Sequence, residues 1–333
     1  MKFAIGYQLY KDESFVDAII RNKDNISEVY FSMYNSPSGR GNSWSRGING
    51  FDAKNVQQRE LSMLRESGIS TNLLLNATCY GKDALSRSFF METGDMLEYC
   101  IENFGTVSVT TTSPIIAKFV KQNFDGISTR ASVNMEIGTA QGMEYVKEYF
   151  DSFYMKREYN RDFEHIKSLK AWCDNNGKRM HLLANSGCLN NCSCHFFHDN
   201  IVAHENEISR MDNAFDFGGI CKEYLSVEEN LKKLPEITNF VRPEDIGLYE
   251  EYFEAAKLAT RVSNNPARTL ESYIRGRYSG NILDILEPNH NIYPYVLENG
   301  EELKLRKIDE NILTYGDDNS CGGNCSSCRE KSK

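Results

Sequence analysis

Between Leu182 and His198 the chain reads Leu-Leu-Ala-Asn-Ser-Gly-Cys-Leu-Asn-Asn-Cys-Ser-Cys-His-Phe-Phe-His. An apolar, strand-like run ends in Asn185-Ser186-Gly187, and Cys188, Cys192, Cys194, His195 and His198 follow at once. Buried cysteines mostly occur singly, as small hydrophobes. Three within seven residues of a polar loop read instead as soft ligands for a metal or cluster, released where a strand stops. Cys79 follows another apolar run, and Cys221 lies in Phe217-Gly218-Gly219-Ile220-Cys221. Cys100 and Cys173 sit on helical faces and are predicted to be core.

A second cysteine group, Cys321-x3-Cys325-x2-Cys328, has the spacing of the radical S-adenosylmethionine motif. In those enzymes the motif follows an early strand, whereas here only five residues come after it. A second iron–sulfur cluster or a zinc site fits its position better, with a fourth ligand from Cys194, another chain or a small molecule. An unliganded tail is the alternative.

The elements that must position these residues form a regular rhythm. Strand-like runs are predicted at 3–9, 28–33, 70–75, 106–111, 127–133, 152–156 and 180–184. An eighth is placed at 253–259, with 238–242 as a rival. Helical patterns lie between them, at 15–22, 53–67, 92–103, 115–123, 142–150 and 162–176. In the last of these Phe163, Ile166, Leu169 and Cys173 share one face. Asn160-Arg161-Asp162 supplies capping side chains before it, and Asn175-Asn176-Gly177 ends it. Strands and helices alternating in this way predict an α/β fold, a (β/α)8 TIM-like barrel. An open doubly wound sheet is the competitor, but no glycine-rich dinucleotide fingerprint follows the first strand. The barrel is assigned to 1–280, with a lid insertion around 195–235, and 281–333 to a small extension with a hairpin and the Cys-rich tail.

Composition sets the bounds. A chain of 333 residues, 40% of them hydrophobic, can bury a large core. It has no apolar run of membrane-spanning length, and its start resembles a first strand more than a secretion signal. A cytoplasmic protein with no membrane partner is therefore expected, its ten cysteines reduced and used for metal or redox chemistry. The net charge of −9 tilts against broad nucleic-acid binding.

Three segments carry a resemblance. They are Phe153-Tyr154-Met155-Lys156-Arg157-Glu158-Tyr159-Asn160-Arg161-Asp162 continuing to Asn185–Cys192, then Phe240-Val241-Arg242-Pro243-Glu244-Asp245, then Ala256-Lys257-Leu258-Ala259-Thr260-Arg261. Together they resemble the collagenase-like peptidase family, peptidase family U32, across most of residues 1–290. The resemblance implies a TIM-like barrel and an oxygen-sensitive 4Fe–4S cluster held by four cysteines. Despite the family's name, its better-understood members resemble oxygen-independent hydroxylases acting on RNA bases or on the ring of a quinone precursor. The Cys188-x3-Cys192 spacing is tighter than the family's usual one and marks a divergent branch.

On that basis Cys188, Cys192 and Cys221 are expected to hold the cluster. Cys79 is the preferred fourth ligand, because a barrel would bring it to the same face, and Cys194 is the alternate. His195 and His198 are expected to donate to cluster sulfides or solvate the loop, with ligation as the alternative. Arg157 and Arg261 are assigned to catalysis, holding an anionic substrate or oxygen donor. Asn76, Asn134, Asn185, Arg242 and Lys257 are assigned to substrate binding, against the alternatives of helix caps and ion pairs. No serine with a base and no His-Glu-x-x-His supports hydrolysis. The expected function is an iron–sulfur redox modification, such as oxygen-independent hydroxylation, of an RNA base, an aromatic small molecule or a peptide. The competitors are a U32-type peptidase or peptide-modifying enzyme, and an electron-transfer or scaffold subunit meeting a protein partner through the tail.

Overall fold

The computed structural model describes residues 1–9, 12–34, 36–39, 50–290, 295–297, 305–307 and 314–315. Eight parallel strands close a barrel in chain order: β1 (Lys2–Gly6), β2 (Ile26–Phe31), β3 (Thr71–Leu75), β4 (Thr106–Thr111), β5 (Ser128–Ala131), β6 (Ser152–Tyr154), β7 (Arg179–Leu183) and β8 (Ala255–Leu258). The seam is the pairing of β1 with β8, from Lys2 opposite Ala255 to Ile5 opposite Leu258. The outer ring is α1 (Ser14–Arg21), α2 (Gly50–Glu66), α3 (Arg87–Phe104), α4 (Pro114–Asn123), α5 (Ala140–Val146) and α6 (Phe163–Asn175). The (β/α)8 expectation holds.

Local sequence explains the starts and stops. Ser86, Ser113, Thr139 and Asp162 each accept a backbone N–H from the first turn of the following helix. Gly177 takes the left-handed φ of 63° after α6, which suits a residue without Cβ. Strands buried on both faces, such as β3 with every residue buried, lose the in–out alternation of half-exposed strands. The helices close over them through Phe15, Ile19, Leu61, Leu64, Leu97, Ile166 and Leu169.

Between β7 and β8 runs a helical insert: α7 (His195–Ala203), α8 (Glu205–Ile208), α9 (Ile220–Leu225), α10 (Glu228–Lys232) and α11 (Leu234–Ile237). It has a small core of its own, in which Leu225, Leu231 and Leu234 pack with Phe240, Ile282, Leu283 and Leu286. The rival strand at 238–242 is a strap past the end of β7, where the Val241 N–H donates to the Ala184 carbonyl at 2.7 Å. A helix that the sequence reading passed over, α12 (Pro266–Arg275), follows β8 and is capped by Asn265. Beyond it Tyr295–Leu297 pairs antiparallel with Leu305–Lys307. Cys321, Cys325 and Cys328, with the metal and partner roles expected of them, lie outside the described residues. No helix among the described residues is long and apolar enough to cross a membrane.

Candidate functional site

The carboxyl end of β7 is held by its own Asn-Ser-Gly. Asn185 donates to the carbonyls of Ala259 and Ile285 and accepts from the Ala259 N–H at 2.6 Å. It splices the end of β8 to the later chain, and its side chain is taken up by backbone where a substrate-binding role was expected. The Gly187 N–H donates to the Glu287 carbonyl at 3.0 Å. A Cβ on Gly187 would run into the carbonyl oxygen of Pro288. The glycine therefore lets residues 287–288 pass beneath the loop, and Cys188 emerges from a fixed base.

Above that base Arg157, buried at the end of β6, bridges two groups. Its Nη1 donates to Cys188 Sγ at 3.3 Å and its Nη2 lies 2.8 Å from His195 Nε2. His195 Nδ1 in turn stands 2.7 Å from Glu136 Oε1. A guanidinium can only donate, so this contact belongs to the neutral imidazole with its proton on Nδ1, shared with Glu136. The bond from His195 holds the Glu136 carboxyl down at about 2, against the opposing effect of its burial. Burial disfavours charge on His195, but Glu136, Asp199 and Cys188 outweigh it and raise its pKa. In the protonated ring Nε2 has a second partner, Asp199 Oδ2 at 3.4 Å.

The thiols of Cys188, Cys192 and Cys221 feel one another. Burial raises the Cys192 thiol, the Cys194 backbone N–H opposes it, and the charge of Cys188 adds to it. Burial likewise raises Cys221, followed by Cys188 and Cys192. The β7 loop and the first turn of α9 thus place three thiols within electrostatic reach of one another, with Cys194 two residues from Cys192. His198 flanks Cys221 across Gly219. Among the described residues no three His, Cys, Asp or Glu side chains are set as ligands of one ion. The donor set is right for a thiophilic group, and the thiols would have to draw inward around it.

Cys79 is placed elsewhere. A hydrogen bond with His204, then the Gly81 N–H at 3.4 Å, lower its pKa. His204 Nδ1 lies 3.0 Å from Glu207 Oε2. Cys79 thus belongs to a Cys–His–Glu set, the kind of neighbourhood that activates a thiol, and the interactions that set its pKa come from this set and not from the other cysteines.

The remaining sequence-selected residues divide by position. Asn76 Oδ1 accepts from the Gly39 N–H at 3.1 Å, and Asn134 Nδ2 faces the same glycine without a hydrogen-bond partner among the described residues. Arg261 donates to Ser32 Oγ at 2.8 Å and Ser38 Oγ at 2.9 Å. Arg242 is paired with Glu244 at 3.2 Å, the structural alternative. Lys257 points into the barrel interior. Cys100 and Cys173 are core thiols, both pushed up to about 12 by burial. Sequence reasoning missed Glu136, Asp199, His204 and Glu207. Asp199 and Glu207 carried a faint signal as acids one turn beyond a histidine, whereas Glu136 reaches His195 across 59 residues.

No protein-family model matches the sequence, and no curated protein does. Among solved structures the chain is similar to the U32 peptidase Mk0906, at 11% identity and a TM-score of 0.56, over 77% of this chain and 91% of that one. It is also matched, at 10% identity and a TM-score of 0.42, to a conserved Enterococcus faecalis protein of unknown function, over 83% of this chain and 66% of the other. The first likeness establishes a shared fold, and the second is too low to carry an argument.

Proposed function

We propose that this chain is a divergent U32-type barrel protein that holds a 4Fe–4S cluster at the carboxyl end of the barrel and performs a redox modification there. Cys188, Cys192 and Cys221 would hold the cluster, with Cys194 as fourth ligand because Cys79 is engaged by His204. The observation that carries this reading is the buried Arg157 guanidinium holding Cys188 at 3.3 Å, with Cys192 and Cys221, from two separate segments, within electrostatic reach of that thiol. When bound, such a cluster supplies one-electron transfer. Arg157 fixes Cys188 and, through His195 and Glu136, offers a proton-holding group next to it. Asn134, with its unpartnered amide, and Asn76 would orient the substrate, for which oxygen-independent hydroxylation of an RNA base, an aromatic ring or a peptide is the reading.

Iron and acid-labile sulfide measured after anaerobic purification test this directly. The wild type should carry about four irons per chain. Cys188→Ser, Cys192→Ser and Cys221→Ser should lose most of them, while Cys79→Ser keeps them. A wild type without iron refutes the proposal.

A second reading, a peptidase or peptide-modifying enzyme, draws support from the Cys79–His204–Glu207 set. It requires Cys79 to be alkylated by iodoacetamide at pH 7 well ahead of the other thiols, and His204→Ala to slow that reaction. Turnover of peptides that survives loss of the cluster cysteines but not of Cys79 would select it.

A further inference from the structure

A cavity of about 680 Å³ opens at the amino-terminal mouth of the barrel, the end opposite the cysteine loop. Its walls include Ala4, Glu28, Ser108, Arg130, His181 and Lys257. TIM barrels usually fill this interior with branched apolar side chains, so a polar layer here needs an account. Most of it has one. Arg130 donates to both oxygens of Glu28, to Ser152 Oγ at 3.3 Å and to Tyr154 Oη at 3.5 Å. Asn72 donates to Ser108 Oγ and accepts from Thr110 Oγ1 at 2.9 Å.

Two groups are left over. Lys257 is only 8% exposed, and its Nζ lies 3.9 Å from the centroid of the Tyr30 ring and 4.9 Å from that of Tyr154. No hydrogen-bond acceptor among the described residues meets that Nζ; aromatic faces stand where a carboxylate would be expected. Of the two carboxylates that act on this amine, Glu28 is already committed to Arg130, and Glu287 accepts from the Val262 N–H at 3.0 Å. The other group is His181, whose buried Nε2 has no hydrogen-bond partner among the described residues.

We propose that Lys257 is a nucleophilic amine and that the mouth cavity admits a small uncharged aldehyde, which the amine captures as an imine. The surroundings favour the uncharged amine: burial first, then Arg261 and Arg130, bring its pKa down to about 7. A neutral carbonyl compound suits the cavity, because Arg130 and Glu28 are spent on each other and the rim mixes bases (Lys2, Lys170, Lys178, Arg179) with acids (Asp174, Glu250, Glu251, Glu254), leaving no net charge to select an ion. The Nζ lone pair attacks the carbonyl carbon, a C–N bond forms, and the carbonyl π pair moves to oxygen, which takes up a proton. Loss of the remaining N–H proton and of that oxygen as water leaves C=N. His181, kept neutral chiefly by its burial, is the group in the same cavity that can relay the proton. This site is separate from the cysteine centre and stands or falls independently of it.

The test uses the full-length wild type with acetaldehyde and sodium cyanoborohydride at pH 7, followed by peptide mass mapping. The reduced imine leaves an ethyl group on the lysine. Lys257 should be ethylated at least about tenfold faster than Lys82, because a solvated lysine with a pKa near 10.4 is almost wholly protonated at pH 7. Lys82, with a side chain 92% exposed, is the solvated reference. At pH 10 that lead should vanish. Ethylation of Lys82 at an equal or greater rate at pH 7 overturns the proposal. So does a Lys257 that is acetylated ahead of Lys82 by acetic anhydride yet is passed over by acetaldehyde.

Discussion

Replacing Lys257 by Met should stabilise the protein at neutral pH and remove a specific part of its pH dependence. Burial, then Arg261 and Arg130, lower the Lys257 pKa from 10.5 to about 7. At 1.36 kcal/mol for each pH unit, this corresponds to a penalty on the order of 4–5 kcal/mol for the charged form in the fold. Below pH 7 lysine is protonated in both the folded and unfolded chain, and the penalty is complete. Between pH 7 and about 10.5 the unfolded chain binds more protons than the folded one, so stability rises with pH. Above that range neither state carries the charge and the penalty is gone.

The groups facing the amine leave this window clear. They are Arg261, Arg130, Glu28 and Glu287, with His181 and Tyr154 in the same interior; Glu28 keeps the Arg130 guanidinium charged against its burial, His181 is held neutral chiefly by burial, and burial raises Tyr154 to about 12. Met preserves most of the volume and the contact with the two tyrosine rings. Urea unfolding of wild type and Lys257→Met from pH 6 to 10 gives a difference curve in which titrations common to both cancel. The variant should be several kcal/mol more stable at pH 7 and should converge on the wild type near pH 10. Parallel curves would refute the argument, since they would mean that the amine is solvated.

Arg130→Met strands the buried Glu28 carboxylate and should cost about 3–5 kcal/mol in urea unfolding, whereas the double variant Glu28→Leu/Arg130→Met should recover much of the loss. Gly187→Ala forces the loop away from Pro288; a loss of about 1–3 kcal/mol should appear together with a reduced iron content in the anaerobically purified protein. Cys100 and Cys173, buried and raised to about 12, should resist iodoacetamide in the native protein and react only on unfolding, which time-resolved mass mapping would follow.

The barrel was legible in the chain because each βα unit is a local pattern. Runs of β-forming residues such as 71–75 and 106–111, helices with one apolar face, and caps such as Asp162 with Gly177 need only neighbours in sequence. The cysteine loop was legible for the same reason, as three thiols in seven residues. The helix 266–275 was also within reach, since Asn265-Pro266 and Gly276 mark its ends.

What each polar side chain faces was not local, and only the tertiary structure decided it. Asn185, Asn76 and Asn134 occupy equivalent strand ends, yet the first is consumed by the backbone of β8 and the third keeps an unpartnered amide. Arg157 meets His195, and His195 meets Glu136, because barrel closure sets β5, β6 and β7 side by side. Cys79 was expected among the cluster thiols on the ground that it shares their end of the barrel. The insert instead delivers His204 and Glu207 to it. Lys257 likewise follows from register, because alternate residues of a barrel strand point inward. That parity is readable from sequence, but the acceptors a lysine will find in the interior depend on seven other strands.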